Sequence, residues 1–130
     1  MECEKLKKRH ARFVYERYRK PVIIAENGYC GLDNVCLDGK VHDADRIDYL
    51  RRHIGKTLEA KRDGADIRGY LLWTLLDNFE WSYGYTKRFG LVHVNFATQK
   101  RTPKDSYYWY RDFLKSTAAT ADRTYTQKGV

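Results

Sequence analysis

The chain has 130 residues, of which 42% are hydrophobic, so it is long enough for one compact unit with an ordinary core. It contains no run of about 18 or more apolar residues. Its first twenty residues are highly charged, instead of a basic start followed by an apolar stretch. The sequence therefore predicts neither a membrane span nor a secretory signal, and we expect a cytoplasmic protein with no membrane partner.

The predicted elements begin with a basic helix over about residues 4–19. Residues 1–20 carry eight Lys and Arg against three Glu, which is five of the eight units of net positive charge. A basic helix can bind nucleic acid or an anionic membrane, but these charges surround an apolar stripe that a packed surface helix also shows. We favour the surface helix and predict no nucleic-acid partner. The stripe consists of Leu6, Phe13, Val14 and Tyr18.

Pro21 ends this helix, and the β-branched run at residues 22–25 predicts a buried strand directly after it. Glu26 follows the strand, and residues 27–42 are so rich in Gly, Asn and Asp that they predict a long loop. Catalytic groups of α/β folds gather at the C-terminal ends of parallel strands. Glu26 therefore occupies a position typical of a catalytic carboxylate, although this position alone leaves an ordinary ion pair with an arginine open.

The loop contains Cys30 and Cys36, and Cys3 lies just before the first predicted helix. A zinc site would need a fourth ligand and closer pairs of cysteines, and a disulfide would need an oxidising compartment that nothing in the sequence indicates. We interpret the three cysteines as free thiols. The sequence predicts no metal and no cofactor.

A second helix follows the loop, with Asp43 placed to cap its start and Gly64 placed for a left-handed C-terminal cap. A second strand is predicted over residues 67–73. A strand, a crossover helix and a further strand form a βαβ unit, whose strands are parallel. The sequence therefore predicts an α/β fold.

The second strand ends in an unusual mixture of aromatic, carboxylate and amide side chains. Sugars offer apolar faces for stacking and hydroxyls for bidentate hydrogen bonds, so this mixture is typical of a carbohydrate site. Tryptophans that simply fill a core are the alternative, but core packing would not explain the polar groups between them. The stretch reads Trp73-Thr74-Leu75-Leu76-Asp77-Asn78-Phe79-Glu80-Trp81.

The remaining elements are an apolar segment at residues 91–94 and a last helix. Thr102 and Pro103 are placed as the cap and the first-turn proline of that helix. Beyond Lys115 the residues are polar, small and without periodicity. Residues 116–130 are therefore predicted to form a disordered tail, and residues 1–115 the folded part.

Together these motifs resemble glycoside hydrolase family 1 over roughly residues 10–115. The family's fold is a (β/α)8 TIM barrel, so the resemblance implies an α/β fragment that forms the C-terminal portion of such a barrel. It implies about the last two βα units, with the two predicted strands as the seventh and eighth. A complete barrel takes about 250 residues or more. The motifs are Ile24-Ala25-Glu26-Asn27-Gly28, Trp73 to Trp81, Gly84-Tyr85, Arg88-Phe89-Gly90-Leu91 and Lys104-Asp105-Ser106.

The resemblance also implies roles for individual residues. Glu26 matches the nucleophile, which attacks the anomeric carbon and forms a covalent glycosyl-enzyme. Trp73 matches the platform beneath the sugar, and Phe89 matches an aromatic wall of the same pocket. Glu80 matches the carboxylate that accepts hydrogen bonds from the 4- and 6-hydroxyls, and Trp81 matches the indole that donates to the 3-hydroxyl.

The implied activity is that of a retaining O-glycosyl hydrolase of the β-glucosidase type, acting on terminal β-D-glycosyl residues by double displacement. The family's acid/base glutamate lies in an asparagine-glutamate-proline motif, but the only prolines here are Pro21 and Pro103, and neither follows a Glu. We therefore expect an inactive truncated or split piece, whose partners are a β-glucoside or related β-glycoside and the missing N-terminal barrel segment. A non-catalytic sugar-binding or assembly module is the alternative.

Overall fold

The computed structural model of this chain describes the backbone of residues 2–126 and the side chains of residues 10–117. The first helix, the first strand, the second helix and the second strand follow one another in the order that the sequence predicts. None of the helices is long and apolar enough, over the described residues, to cross a membrane. The elements are α1 (Glu2–Tyr18), β1 (Val22–Asn27), α2 (Ala44–Arg62), β2 (Ile67–Leu72), a 3-10 turn (Trp81–Tyr83), β3 (Val92–Val94), β4 (Arg101–Pro103) and α3 (Asp105–Thr126).

β1 and β2 lie side by side as a parallel pair that α2 connects, which confirms the predicted βαβ unit. Val22 pairs with Ile67 and Ile24 with Tyr70, and the register shifts once between Val22 and Ile23 and again between Ile24 and Asn27. Parallel strands need a long crossover because the chain must return to the same end of the sheet. Within the described residues this sheet has two strands, so the structure is part of an α/β fold without a closed barrel.

Helices cover one face of the parallel pair. Val22 and Ile24 of β1 pack against a small core that contains Ala60 and Ala65 near the end of α2. Ala11 of α1 belongs to the same core, where its small side chain lets α1 approach α2 closely. This packing fixes the direction of β1 and hence the position of the residues that follow it.

A second core lies between α2 and α3. Leu50 and Ile54 of α2 pack there with Leu91, and aromatic rings of α3 cover them. The opposite face of the parallel pair stays open, since Ile23 and Leu71 are 59% and 57% exposed. The rings of α3 are those of Tyr107, Trp109, Tyr110 and Phe113.

The apolar stripe predicted for α1 is not the face that this helix buries. Phe13 and Tyr18 are 59% and 62% exposed and only Val14 of the described stripe is half-buried, whereas Ala11 is buried and Tyr15 packs beside it. The contact between α1 and α2 selects small side chains because the two helices lie close together, and a pattern based on large apolar residues misses this. The Leu6 side chain lies outside the described side chains.

Both ends of α2 fall where the sequence predicts them, but Asp43 does not cap the helix with its side chain. Its carboxylate instead accepts hydrogen bonds from the Ser106 backbone N–H and hydroxyl and from Arg46. A buried guanidinium needs a counter-ion, and this need outweighs the weaker helix cap. At the other end Gly64 has a φ of +96°, as the left-handed cap requires.

The last helix differs from its prediction at both ends. Thr102 and Pro103 are not its cap and first turn but belong to β4, which pairs antiparallel with β3. The reason is a tight turn over residues 95–100 that folds the chain back on itself. α3 starts at Asp105 and extends to Thr126, so the tail predicted from residue 116 is helical up to that point. Residues 127–130 lie outside the described residues.

Candidate functional site

Glu26 lies at the C-terminal end of β1, one residue before the strand ends. Its side chain is exposed and lines a pocket, and the next two residues, Asn27 and Gly28, line the same pocket. Because β1 and β2 are parallel, the residues after both strands meet at one edge of the sheet. An exposed carboxylate at this edge is accessible to a small molecule.

Trp73 follows β2 directly and is tied to the end of β1. Its backbone N–H donates to the Asn27 carbonyl oxygen at 2.9 Å, which extends the parallel pairing beyond the strands. The backbone of Trp73 also passes so close to Gly28 that a Cβ there would lie 1.9 Å from the Trp73 carbonyl oxygen. The peptide bond between Trp73 and Thr74 is cis. The indole of Trp73 is half-buried and lines a pocket together with Glu26.

Glu80 and Trp81 stand at the start of the 3-10 turn. The Glu80 N–H donates to the Gly84 carbonyl oxygen at 2.7 Å, and the Glu80 carbonyl accepts from Tyr83 at 2.8 Å. Gly84 has a φ of +55°, which lets this tight turn close. The turn leaves Trp81 82% exposed. The Glu80 carboxylate has one buried oxygen, Oε2, that has no hydrogen-bond partner among the described residues.

All five residues that the sequence analysis predicts for the site line one pocket of about 380 Å³. They come from three separate stretches of chain: the end of β1, the segment after β2 up to the 3-10 turn, and Phe89 further along the chain. Asn27 and Gly28 complete its lining. The five residues are Glu26, Trp73, Glu80, Trp81 and Phe89. The pocket thus combines two carboxylates with three aromatic rings.

These groups suit a polyhydroxylated ring. Aromatic faces stack on the apolar C–H faces of a pyranose, and carboxylate oxygens accept hydrogen bonds from neighbouring hydroxyls. The unpaired Oε2 of Glu80 is an acceptor that a hydroxyl donor would satisfy, because a buried polar atom without a partner is costly. Glu26 is left as a second carboxylate that can act as a nucleophile.

The Asn27 side chain is held at both of its polar atoms, a feature that the sequence analysis did not identify. Its Oδ1 accepts a hydrogen bond from the Tyr70 hydroxyl at 2.6 Å, and its Nδ2 donates to the Tyr49 hydroxyl at 3.2 Å. Burial raises the pKa of Tyr70 above its ordinary value, so this hydroxyl stays protonated as a donor. The clamp connects β1, β2 and α2 at the residue next to Glu26.

A buried cluster of charged side chains lies behind the pocket, and the sequence analysis missed it as well. Its three carboxylates face three cations, so the cluster is neutral overall. Burial would raise the pKa of Asp33, but hydrogen bonds from Arg46 and Lys104 outweigh it and lower that pKa. Only spatial proximity reveals this cluster, since its members are spread along the chain. They are Asp33, Asp43, Arg46, Asp77, Arg88 and Lys104.

The cysteines of the loop after β1 lie beside this cluster. Cys30 is half-buried and Cys36 is exposed, and both are free thiols. The Cys3 side chain lies outside the described side chains. Across the described part of the chain, no group of three or more His, Cys, Asp or Glu side chains is arranged to hold a metal ion.

Carboxylates and aromatic rings that meet at the C-terminal ends of parallel strands are typical of α/β proteins that act on carbohydrates. The chain belongs to glycosyl hydrolase family 1, whose family model matches residues 4–119. It is 53% identical over 104 residues to β-glucosidase A of Thermotoga maritima and 52% identical over 108 residues to the 1,4-β-D-glucan glucohydrolase of Thermotoga neapolitana.

Solved structures agree with this assignment. The chain superimposes on the β-glucosidase from Thermotoga maritima in complex with castanospermine with a TM-score of 0.84 and 48% identity, covering 86% of this chain and 26% of that one. The alignments to the two sequence relatives likewise include 79% and 82% of this chain but only 23% and 24% of the relatives' own length. The chain therefore spans about a quarter of the length of the relatives it matches.

Proposed function

We propose that this chain contributes the nucleophile and one wall of the sugar pocket to a retaining β-glycosidase of the β-glucosidase type. The observation that carries the proposal is the single pocket in which Glu26, Trp73, Glu80, Trp81 and Phe89 meet. In this proposal the two βα units correspond to the seventh and eighth of a (β/α)8 barrel. The two sequence relatives reported above are named as a β-glucosidase and a 1,4-β-D-glucan glucohydrolase, and these names support a β-glucoside as substrate.

The proposed mechanism assigns different tasks to the two carboxylates. Glu26 attacks the anomeric carbon, the glycosidic C–O bond breaks, and a covalent glycosyl-enzyme forms that water then hydrolyses. Glu80 accepts hydrogen bonds from two sugar hydroxyls, a role that its unpaired Oε2 supports. Trp73 stacks beneath the ring, and Trp81 donates to a hydroxyl from its exposed position on the turn.

Double displacement also needs an acid that protonates the leaving oxygen, with its carboxyl group about 5–5.5 Å from the nucleophile. Since Glu80 is assigned to the sugar hydroxyls, this acid comes from the part of the family fold that the relatives have and this chain does not match. We therefore propose a further partner, the N-terminal barrel segment. Acid–base assistance is typically worth about 10² to 10⁴ in rate, so the chain by itself should be inactive.

The surface for that segment is the open side of β1. A groove of about 510 Å³ runs between α1, β1 and α2 there, with mostly apolar walls that include Val14, Ile23 and Ile24. Glu26 lies on the wall of the same groove. A strand added along this edge would satisfy the unpaired backbone of β1 and bring a new strand end next to Glu26.

The experiment measures hydrolysis of a chromogenic β-glucoside by the purified chain, alone and after co-expression with the N-terminal three quarters of the Thermotoga maritima β-glucosidase. We expect activity only in the co-expressed pair. Glu26→Gln is the matched control, because it keeps the shape and hydrogen bonding of the side chain but removes the nucleophile. The Glu26→Gln pair should lose essentially all turnover and keep the same complex on gel filtration.

Turnover by the chain without its partner, with contaminating enzyme excluded, would contradict the need for a second segment. A folded pair without activity that still binds a β-glucoside would instead favour a non-catalytic sugar-binding or assembly module. Equal activity of the unmodified pair and the Glu26→Gln pair would show that another residue is the nucleophile.

A further inference from the structure

Lys104 is a fully buried lysine that has no place in the proposed chemistry. It precedes α3 and is 0% exposed. Its Nζ donates to Asp33 Oδ2 at 2.5 Å and to Asp77 Oδ1 at 2.9 Å. Burying an ammonium group is costly unless it is paired, so a lysine in this position needs both carboxylates.

The two carboxylates lie on two different stretches of chain that also contribute residues to the pocket. Asp33 lies in the loop that follows Glu26, and Asp77 lies in the stretch between Trp73 and Glu80. Lys104 therefore connects the stretch that carries the proposed nucleophile with the stretch that forms the sugar wall. A backbone hydrogen bond from the Gly31 N–H to the Arg88 carbonyl, at 3.0 Å, joins the same two stretches nearby.

Asp77 transmits this connection to the wall of the pocket. Besides Lys104, its carboxylate accepts from the backbone N–H of Gly90 at 2.9 Å and from Arg88 Nη1 at 2.6 Å. These two donors flank Phe89, which lines the pocket. The residues on both sides of Phe89 are thus anchored to a carboxylate that is 4% exposed and held by Lys104.

We propose that Lys104 is a positioning residue that fixes the loop after the nucleophile-bearing strand against the sugar wall by bridging Asp33 and Asp77. The inference rests on the proposed function for what the pocket binds, but the geometry can be tested without any turnover. Lys104 also balances the charge of the cluster, which has three carboxylates and three cations. The test must separate this electrostatic contribution to stability from the bridging role.

The experiment uses the full 130-residue chain labelled with fluorotryptophan, which gives three ¹⁹F signals. Trp73 reports on the pocket, whereas Trp109 stacks on Phe113 in α3 and serves as an internal reference. The main variant is Lys104→Met combined with Asp33→Asn, which removes one cation and one carboxylate. It keeps the cluster neutral while it removes the bridge. Lys100→Met, an exposed lysine nearby, is the matched control.

Lys104→Met alone should lower the urea midpoint of unfolding. The double variant should lower it less, because removing one carboxylate together with the lysine restores the charge balance of the cluster. Its Trp73 signal should nevertheless be shifted or doubled, while the Trp109 signal stays in place. Lys100→Met should change neither signal. A double variant that is folded and keeps the original Trp73 signal would overturn the proposal and leave Lys104 with a role in charge balance alone.

The double variant could fail to fold. The milder Asp33→Asn variant then gives the answer, because it keeps Lys104 and Asp77 and weakens the loop end of the bridge together with the ion pair from Arg46 to Asp33. A shifted or doubled Trp73 signal in that variant supports the proposal, and an unchanged signal overturns it. Loss of glycosidase activity in the co-expressed pair is not part of this test, so failure of the proposed function would leave its result intact.

Discussion

The glycine that follows the glutamate and asparagine of the pocket has a steric reason to be there. Gly28 lies where the chain leaving β1 passes the backbone of Trp73, and the nearest atom to an added Cβ would be a backbone carbonyl oxygen at 1.9 Å. A backbone oxygen in a paired strand end cannot move aside as the tip of a side chain can. Gly28 thus allows Glu26 and Trp73 to lie close together.

Gly28→Ala should therefore destabilise the chain, by about 1–3 kcal/mol, the usual cost of overpacking. The free energy of unfolding in urea measures this loss. Gly55→Ala is the matched control, because Gly55 lies within α2 and an added Cβ there meets no atom within 4 Å. That change should stabilise the helix by about 0.5–1 kcal/mol. Two variants of equal stability would show that the strand ends can separate without cost.

At the scale of elements, a histidine connects the long loop after β1 to α3. His42 Nδ1 lies 2.6 Å from Asp105 Oδ2, and His42 Nε2 lies 3.1 Å from Asp38 Oδ2. Both ring nitrogens face carboxylates, which suits the imidazolium because it donates from both. The hydrogen bond to Asp105 is the main cause that raises the pKa of His42, followed by that to Asp38. Lys40 is the nearby cation, and its backbone N–H binds Asp38.

The raised pKa gives this connection a pH dependence. A cation that is favoured in the folded state adds stability fully below its unfolded pKa of about 6.5, and this contribution is lost as pH rises through the higher folded pKa. The loss in unfolding free energy caused by His42→Gln should therefore be larger at pH 5.5 than at pH 9. Urea unfolding at the two pH values measures the difference.

His42→Lys is the control for this pH dependence. Lysine keeps its positive charge at both pH values and Gln stays neutral, so the difference in unfolding free energy between these two variants should be the same at pH 5.5 and pH 9, while the unmodified chain loses its advantage over both as pH rises. The backbone hydrogen bond from Lys40 is the main cause that lowers the pKa of Asp38, so this carboxylate keeps its charge throughout this range. A His42→Gln penalty that is the same at pH 5.5 and pH 9 would mean that folding does not change the pKa of His42.

How far the sequence could predict these elements depends on the range of the interactions involved. The periodicity of α2 and the turn residue Gly64 are local signals, and they placed both ends of the helix correctly. The motif around Glu26 and Trp73 predicted residues that do line one pocket. The side chain of Asp43 was wrongly expected to cap α2, because its actual partner Ser106 is distant in sequence.

The same limit explains the missed features of the site. Nothing local marks Lys104 as buried, since lysines are usually exposed and its two partners lie 71 and 27 residues away. The clamp on Asn27 likewise depends on Tyr70, 43 residues further on. Local patterns therefore predicted the groups that face the pocket, whereas the groups that hold them in place became visible only in three dimensions.

At the scale of the whole molecule, the open face of the parallel pair governs behaviour in solution. Ile23 and Leu71 are exposed on it, and the outer edges of both strands are unpaired in the described chain. Such edges and apolar patches favour association with another strand. The formal charge of +8 opposes self-association through repulsion between copies.

These two effects predict that self-association of the purified chain rises with salt. The Debye length falls from about 30 Å at 0.01 M to about 8 Å at 0.15 M ionic strength, so repulsion between copies weakens while the apolar face is unchanged. Sedimentation velocity should show larger species at the higher salt concentration and at higher protein concentration. A chain that stays monomeric at both ionic strengths would show that the open face is protected.

A charged side chain on the open face should suppress this association. Ile23→Lys places an ammonium at a position that is 59% exposed, so the folded chain loses little buried apolar surface. A second strand, however, can no longer pack there without removing water from the charge, which is costly. Leu58→Lys is the matched control, because it adds the same charge at a 42% exposed position on α2, away from the sheet. Only the Ile23 variant should remain monomeric at about 0.15 M salt. If both variants associate less to the same degree, the added charge is responsible, and the open face of the sheet is not the surface through which copies meet.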